Sequence, residues 1–332
     1  MKSILITGGS GFIGTNLIDL LLSKGYNNIV NLDKGSPVKK SHSDYWVNEN
    51  IMNLEGMTKI FEKCQPEVVI HLAARTDTLS NNLYDYEENT IGTENVLNAI
   101  KKTPSVKHSI ITSTQYVYKS TEKPFQLKDD DYIPHTTYGQ SKVLTEQYTR
   151  SANLNCAWTI VRPANVWGPW HMRYPMELWR IIDKGLYFHP GSGKVIRTYG
   201  YVKNIVYQIL QIMEADPLRI NQKTYTLGDL PIDSYQWLNE LSIQLTGKRV
   251  KRLPILIFKS LSLTGDVLRR FRFPFPLYSE RFHNMIEDYY APTNITISEF
   301  GVSHPDLKDN VKESIEWVKG EGAVYFDYWK NR

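Results

Sequence analysis

Tyr138 and Lys142, four residues apart, form the pair in this chain best suited to proton transfer. They lie at the start of a predicted helix over Tyr138–Ser151, where residues i and i+4 share one face. A nearby ammonium lowers the pKa of a phenol because it favours the phenolate, which makes the tyrosine a usable general base near neutral pH. The same spacing is also typical of a simple surface pair, so its chemistry depends on what lies nearby.

Hydroxyl side chains follow the predicted strand Ile110–Thr112, in the run Ser113-Thr114. In an α/β fold the substrate lies at the carboxyl ends of the strands, so a hydroxyl there can share a substrate's alcohol proton with the tyrosine. The alternative is that both side chains only satisfy the backbone of a turn.

A glycine-rich turn over residues 7–14, Thr-Gly-Gly-Ser-Gly-Phe-Ile-Gly, follows the apolar run Ile4–Ile6 and opens a helical pattern. In such a unit Gly8 permits the tight turn, Gly11 lets the backbone approach phosphates, and Gly14 lets the helix pack against its strand. The helix N-terminus adds free N–H groups and a positive dipole end, which both suit an anion. The turn therefore predicts a dinucleotide pyrophosphate site.

Asp33 ends the next apolar run, about 20 residues after the turn, where a ribose-binding acid is expected. Its carboxylate would accept the ribose hydroxyls and repel a 2′-phosphate, so the sequence favours NAD over NADP. Lys34 follows directly and would weaken that repulsion, which leaves NADP as the alternative cofactor.

Apolar, β-branched runs alternate with helical stretches through the first half of the chain, which predicts a parallel sheet with helices on both faces. After Arg162-Pro163, proline, tryptophan and tyrosine become frequent and the alternation becomes irregular. We therefore predict an α/β fold, with a Rossmann-type doubly wound sheet over residues 1–163 and a smaller α/β substrate domain over 164–332, some of whose segments return to the first domain. The predicted strands are Ile4–Ile6, Ile29–Leu32, Val68–Leu72, Ile110–Thr112 and Trp158–Val161, and the predicted helices include Tyr84–Lys101 and Tyr138–Ser151.

The composition of the 332 residues is that of a globular protein, with 41% hydrophobic and 22% charged residues and a net charge of +4. This charge is too small to indicate a nucleic-acid partner. The two cysteines, Cys64 and Cys156, make neither a metal-ligand spacing nor a disulfide framework, which favours a reducing, cytoplasmic compartment. No apolar run approaches the roughly 18 residues of a spanning helix, so no membrane span is expected.

The segment Leu253–Tyr278 mixes apolar clusters with Lys259, Arg269, Arg270 and Arg272. Two interpretations are open: an interfacial membrane helix with a basic face, or a core-packed helix with basic flanks. Prolines at 274 and 276 interrupt the pattern, and the core-packed helix is favoured.

Seven motifs in family order resemble those of the extended short-chain dehydrogenase/reductase family, in its nucleotide-sugar branch. The resemblance covers nearly the whole chain and is strongest over residues 1–205. The motifs are TGGSGFIG (7–14), HLAA (71–74), the Asn and Gly of NTIGT (89–93), STQYVY (113–118), YGQSK (138–142), RPANVWGP (162–169), and VIR (195–197) followed by YV (201–202).

The resemblance implies that Tyr138 is the catalytic acid/base, that Lys142 binds the nicotinamide ribose and that Thr114 is the catalytic hydroxyl. It also implies that Asn89 supports the sheet edge beside the cofactor, and that the loop 167–176 shapes the substrate site. The cofactor-binding residues then expected are Gly8, Gly11, Phe12, Ile13, Gly14, Asp33, Lys34, Asn50, Ile51, Leu72, Ala73, Ala74, Thr112, Tyr138, Lys142 and Pro163. The expected substrate-binding residues are Thr76, Thr114, Gln115, Tyr116, Asn165 and Arg197, and no metal site is expected.

The two residues after Thr114 help to choose the reaction. Sugar 4,6-dehydratases of this family carry Asp-Glu there, whereas this chain has Gln115-Tyr116, so dehydration is disfavoured. The resemblance then implies an NAD-dependent nucleotide-sugar epimerase, acting at C4 through a keto-sugar. The alternatives are an NAD(P)H-dependent nucleotide-ketosugar reductase or dehydrogenase, and a non-catalytic dinucleotide sensor. A nucleotide-diphosphate sugar substrate, a homodimer through two helices of the first domain and a role in polysaccharide biosynthesis are implied as well.

Overall fold

The computed structural model describes residues 2–118, 128–273 and 275–330. The strands in these ranges are β1 (Ile4–Thr7), β2 (Ile29–Asp33), β3 (Trp46–Asn48), β4 (Val68–His71), β5 (His108–Thr112), β6 (Ala157–Pro163), β7 (Asn165–Trp167), β8 (Phe188–Pro190), β9 (Ile196–Arg197), β10 (Tyr199–Tyr201), β11 (Lys223–Leu227), β12 (Ile232–Asp233) and β13 (Lys251–Leu253).

The α-helices are α1 (Phe12–Ser23), α2 (Leu54–Cys64), α3 (Ile91–Lys102), α4 (Thr137–Ser151), α5 (Arg180–Asp183), α6 (Val202–Glu214), α7 (Pro217–Ile220), α8 (Ser234–Thr246), α9 (Ile255–Arg270), α10 (Ser279–Ile286), α11 (Asn294–Phe300) and α12 (Leu307–Lys319). Short 3-10 helices cover Lys40–Tyr45, Leu83–Asn89, Gln115–Val117 and Glu321–Tyr325, and Pro175–Trp179 is a π-helix.

Seven strands form one parallel sheet in the order β11-β6-β5-β4-β1-β2-β3. The chain runs from β1 outwards to β3, then crosses back to β4 and continues the other way. The connections therefore reverse direction between β1 and β4, and ligands of such sheets bind in the crevice at the carboxyl ends beside this reversal.

Alternate residues of β1 supply two separate cores, because successive side chains of a strand point to opposite faces. Ile4 and Ile6 pack with α1 and α6, whereas Leu5 packs with residues of α2 and α3; all three side chains are fully buried. Helices thus cover both faces of the sheet, and the predicted Rossmann-type doubly wound fold is confirmed.

The second half of the chain contributes to this sheet and also builds a core of its own. Strand β11 pairs with β6 at the sheet edge, and α6 packs on α1. A separate cluster rich in aromatic side chains lies away from the sheet and includes Trp167, Trp237 and Trp329.

One predicted helix, Tyr84–Lys101, is divided in two. A 3-10 helix over Leu83–Asn89 ends at Thr90, whose φ of −108° and ψ of −81° are not helical, and α3 begins at Ile91. The side chain of Asn89 bonds to other parts of the site, as described below, and this fixes the end of the first helix.

The preferred interpretation of the segment Leu253–Tyr278 is wrong. It forms α9, but among the described residues of this helix only Phe258, Ser262 and Gly265 are buried. Its large aliphatic side chains remain exposed, so α9 is not packed into a core. No helix within the described residues is long and apolar enough to cross a bilayer.

Candidate active site

A cavity of about 910 Å³ opens at the carboxyl ends of the central strands, beside the reversal between β1 and β4. The residues predicted for the cofactor all line it, from the glycine turn after β1 to Pro163 at the end of β6. Of the residues predicted for the substrate, those that line it are Thr76, Thr114, Tyr116 and Asn165.

The glycine turn takes the shape that its sequence demands. Gly8 has φ of +75°, and a Cβ there would meet the backbone N of Ala73 at 2.5 Å. A Cβ on Gly14 would meet Cα of Gly9 at 2.5 Å, so α1 can approach the turn this closely only because residue 14 has no side chain. No side chain caps the N-terminus of α1 and no acid lies in its first turn, so its N–H groups suit a phosphate.

Asp33 stands at the end of β2 with its carboxylate held by backbone. Its Oδ2 accepts from Ser10 N at 3.0 Å and its Oδ1 from Gly35 N at 2.8 Å. A carboxylate has about four acceptor sites, so capacity for two ribose hydroxyls remains. The neighbouring Lys34 is paired: its Nζ lies 3.0 Å from Glu88 Oε1, which partly neutralises its charge.

Tyr138 lies in the first turn of α4, only 8% exposed, at the wall of the cavity. Burial raises the pKa of its phenol above the ordinary value, and the hydrogen bond with the Thr114 side chain acts in the opposite direction. The sequence predicts a pKa lowered by Lys142; in the structure the pKa is raised, and burial is the largest cause. This hydrogen bond brings the Thr114 hydroxyl and the Tyr138 phenol together at the wall of the cavity.

Lys142 is one turn further along α4, lines the same cavity and is 1% exposed. Burial lowers the pKa of its ammonium to about 8, while the charge of Glu146 opposes this shift. Glu146 is fully buried and bonded by Arg162, from Nε to Oε1 at 2.7 Å and from Nη2 to Oε2 at 2.6 Å. The buried Glu146–Arg162 ion pair, one turn beyond the lysine, thus joins α4 to β6.

Asn89 connects three parts of the site through its side chain. Its Nδ2 donates to Ser141 Oγ and to Arg75 O, both at 2.9 Å, and its Oδ1 accepts from Arg75 N at 2.8 Å. Thr145 Oγ1 donates to the backbone carbonyl of Asn89 at 2.6 Å. The loop after β4, the 3-10 helix and α4 are therefore held in one arrangement around the cavity.

Two lining residues, Tyr116 and His171, contact further aromatic rings. The Tyr116 ring lies 6.0 Å from that of Tyr138 and 5.7 Å from that of Tyr289. His171, a lining residue, stacks on Tyr174 at 4.3 Å. Burial lowers the pKa of His171 to about 4, so this imidazole is neutral near neutral pH.

Two predicted substrate residues do not line the cavity. Gln115 begins the 3-10 helix that follows β5, and its side chain is buried, 5% exposed. The Arg197 guanidinium donates to the backbone carbonyls of Asn284 and Glu287, which lie at the C-terminal end of α10. We predicted that Gln115 and Arg197 contact the sugar nucleotide directly, but neither residue lines the cavity.

Sequence reasoning missed several lining residues. Arg75, Asp77 and Thr78 continue directly from the predicted strand β4, so their position after a strand end was the signal that could have found them. Glu88 needed the tertiary structure, because only folding brings it to Lys34. The other lining residues that had not been predicted for a binding role include Ser10, Thr15, Leu32, Val38, Glu49, Ser113, Ala164 and Val166.

Comparison with known proteins gives consistent likenesses. Residues 4–228 match the profile of the NAD dependent epimerase/dehydratase family. A Methanocaldococcus jannaschii protein assigned as a UDP-glucose 4-epimerase is 33% identical over 340 residues, which cover 97% of this chain and 100% of that protein.

Solved structures share the fold. The UDP-glucose 4-epimerase of Thermotoga maritima, solved with UDP-glucose, superposes with a TM-score of 0.72 at 24% identity, covering 96% of this chain and 99% of the other. The UDP-glucuronic acid 4-epimerase of Bacillus cereus, solved with UDP-glucuronic acid and NAD, gives a TM-score of 0.71 at 20% identity, covering 95% and 98%.

Proposed function

The chain belongs to the NAD dependent epimerase/dehydratase family, and we propose that it is an NAD-dependent nucleotide-sugar epimerase that acts at C4. The observation that carries the proposal is the meeting of Thr114, Tyr138 and Lys142 in the same cavity as the glycine turn. A protein that only bound a dinucleotide would need the turn but not this catalytic trio.

The residues present fit NAD. The uncapped N-terminus of α1 would hold the pyrophosphate. The carboxylate of Asp33, which is oriented by two backbone N–H groups, would accept hydrogen bonds from the adenosine ribose. Since Lys34 is paired with Glu88, a 2′-phosphate would face two carboxylates and little free positive charge, which favours NAD over NADP. When bound, NAD supplies the acceptor that takes a hydride from the sugar carbon and returns it.

The protein's own groups would move the proton. Tyr138 Oη would take the proton of the sugar hydroxyl, and the Thr114 hydroxyl would hold the same oxygen and share that proton. The Lys142 ammonium would bind the nicotinamide ribose and stabilise the phenolate. The keto-sugar would then turn within the cavity, so that its opposite face receives the hydride back while Tyr138 returns the proton to the carbonyl oxygen.

We assign the part of the cavity around Tyr116 to the sugar nucleotide, with Thr76 and Asn165 as further lining residues. We also propose that the chain divides at residue 163. Residues 1–163 would bind the cofactor, and the loop 167–176 with the segments after it would receive the nucleotide sugar. We also propose a homodimer, on the resemblance alone, to be checked by light scattering.

The residues after Thr114 argue against dehydration. Neither Gln115 nor Tyr116 is a carboxylic acid, so the pair lacks the acid and base that ring dehydration needs. A ketosugar reductase uses the same trio and stays as the alternative, but it would draw on free NADPH, which the Lys34–Glu88 pair disfavours.

The test is to denature freshly purified protein and identify any released dinucleotide by chromatography. We expect stoichiometric NAD or NADH, and then interconversion of two C4 epimers when UDP-, GDP- and TDP-sugars are supplied without added cofactor. Epimerisation in heavy water should leave the C4 hydrogen unexchanged, because hydride leaves and returns to the same sugar. Binding of NADPH with formation of a reduced sugar would instead establish the reductase.

A further inference from the structure

Helix α9 turns small side chains towards the protein and large apolar side chains outwards, which is the reverse of a helix packed in a core. Ser262 and Gly265 are buried beside Phe258, at positions that share one face. The other face carries Leu256, Leu263 and Val267, spaced at seven and four residues. These three side chains are 72%, 56% and 57% exposed, and Phe271 and Phe273 just beyond the helix are 68% and 63% exposed.

The inner face of α9 is packed closely against the protein, so the large side chains of the outer face cannot be buried by a rotation of the helix. A Cβ on Gly265 would meet the carbonyl oxygen of Leu277 and must shift the backbone, so α9 lies directly against the chain that leads into α10. The Phe258 ring stacks on Phe282 of α10 at 6.3 Å. The small residues thus serve contact within the protein, and the large apolar residues face outwards.

Positive charge concentrates on the same segment. Residues 248–273 contain eight lysines and arginines and the single acid Asp266, a net charge of +7, so the rest of the chain is net −3 against a total of +4. Asp266 is engaged locally, since its Oδ1 accepts from Ser279 N at 3.1 Å at the start of α10. Arg270, in the last turn of α9, and Arg272, just beyond the helix, are both exposed. Arg270 follows Leu263 by seven residues and Val267 by three, so it shares their side of the helix.

We propose that α9 is an interfacial helix that docks this protein on the surface of an anionic membrane. An apolar stripe with cationic residues beside it matches acyl chains below and lipid phosphates around it. A patch of this kind on a lone monomer would otherwise be costly to leave in water. A protein partner would match the apolar face as well, but the charge favours the lipid.

The helix is connected to the substrate end of the cavity. Arg197 donates to the backbone carbonyl of Asn284 in the last turn of α10 and to that of Glu287 directly after it, and Tyr289 N donates to Ile196 O at 2.9 Å. Tyr289 in turn lies against Tyr116, a lining residue. Docking would therefore bring the sugar-nucleotide end of the site close to the membrane surface.

The experiment is flotation of the full-length protein with vesicles of phosphatidylcholine alone and of equimolar phosphatidylcholine and phosphatidylglycerol. We expect the protein to float with the anionic vesicles, and partitioning to fall about tenfold or more in the variant Leu263→Glu and in Arg270→Glu/Arg272→Glu. Leu218→Glu, at an apolar residue that is 87% exposed in α7, is the matched control and should float like the parent.

A second measurement places the helix in the bilayer. The variant Leu263→Trp should gain a quenching signal from brominated lipid in anionic vesicles, which Leu218→Trp should not. Released dinucleotide and circular dichroism of each variant show that the fold and the cofactor site are intact, so loss of flotation would report α9 alone.

Three results would overturn the proposal. The first is a parent protein that floats no better with anionic than with neutral vesicles at low salt. The second is equal flotation of Leu263→Glu and the parent. The third is the absence of flotation together with a change of oligomeric state in Leu263→Glu, which would make the face a contact between protein chains. None of these results bears on the epimerase activity in solution, which is measured separately.

Discussion

Helices α4 and α9 are of similar length, 15 and 16 residues, and they break the amphipathic rule in opposite ways. Helix α4 buries polar side chains, among them Lys142, Thr145 and Glu146. Helix α9 exposes apolar ones, among them Leu256 and Leu263. Burying polar groups and exposing a contiguous apolar face both cost free energy, so each departure marks a place where the chain does something besides fold.

The two helices also differ in how their exceptions are stabilised. In α4 the buried groups have partners within the protein, such as Arg162 for Glu146 and Asn89 for Thr145. In α9 the apolar side chains of Leu256 and Leu263 are 72% and 56% exposed, and the proposed membrane surface would cover them. Helix α4 thus belongs to an internal site, whereas α9 presents the surface that we propose for docking. Four experiments test this difference.

The largest effect is expected at Tyr138. The variant Tyr138→Phe removes the group that we propose takes the sugar's proton, and turnover should fall by about 10²–10⁴-fold. Because the phenol oxygen is not part of the pyrophosphate site, the dinucleotide released on denaturation should stay near the parental amount. Turnover equal to that of the parent would contradict the role of α4 as the catalytic helix.

Glu146→Ala tests the support beneath the site. The change leaves the Arg162 guanidinium buried without its carboxylate, and the free energy of unfolding should fall by about 3–5 kcal/mol in urea. The matched control is Glu55→Ala, which breaks an exposed pair with Lys59 and should unfold like the parent. Equal effects of the two changes would show that the buried pair does not hold α4.

The buried Lys142 predicts a dependence of stability on pH. Its pKa is lowered from 10.5 to about 8, so between these values the unfolded chain holds a proton that the native chain has released. The free energy of unfolding should therefore rise with pH across this window, by at most about 3 kcal/mol, when cofactor-stripped protein is unfolded in urea. Lys142→Met should lack this rise, and parallel profiles for the two proteins would refute the assignment.

The smallest effect is expected on the outer face of α9. Leu263→Ser removes an exposed side chain and should change the free energy of unfolding by no more than about 0.5 kcal/mol. Phe258→Ala, on the inner face of the same helix, should cost about 3–5 kcal/mol. A large loss in Leu263→Ser would mean that the outer face is covered within the protein.

Much of the cofactor half could be predicted because its signals are local. The glycine turn, Asp33 and the pair Tyr138–Lys142 each depend on short stretches whose conformation their own residues dictate. The substrate half could not be predicted so well. Arg197 has the right chemistry for phosphate, yet its partner carbonyls lie near residue 284, and no local pattern announces that contact.

The sequence by itself determined the elements: where the chain turns, which strands are apolar throughout, and which helix carries a phenol and an ammonium on one face. Only the tertiary structure decided which side of an element faces inwards when both sides are plausible. Periodicity shows that α9 has an apolar face, but small residues can pack more closely than large ones, so Gly265 rather than Leu263 took the protein side. Long-range pairs such as Lys34–Glu88 and Glu146–Arg162 were decided in the same way, because their charges meet only after the sheet has formed.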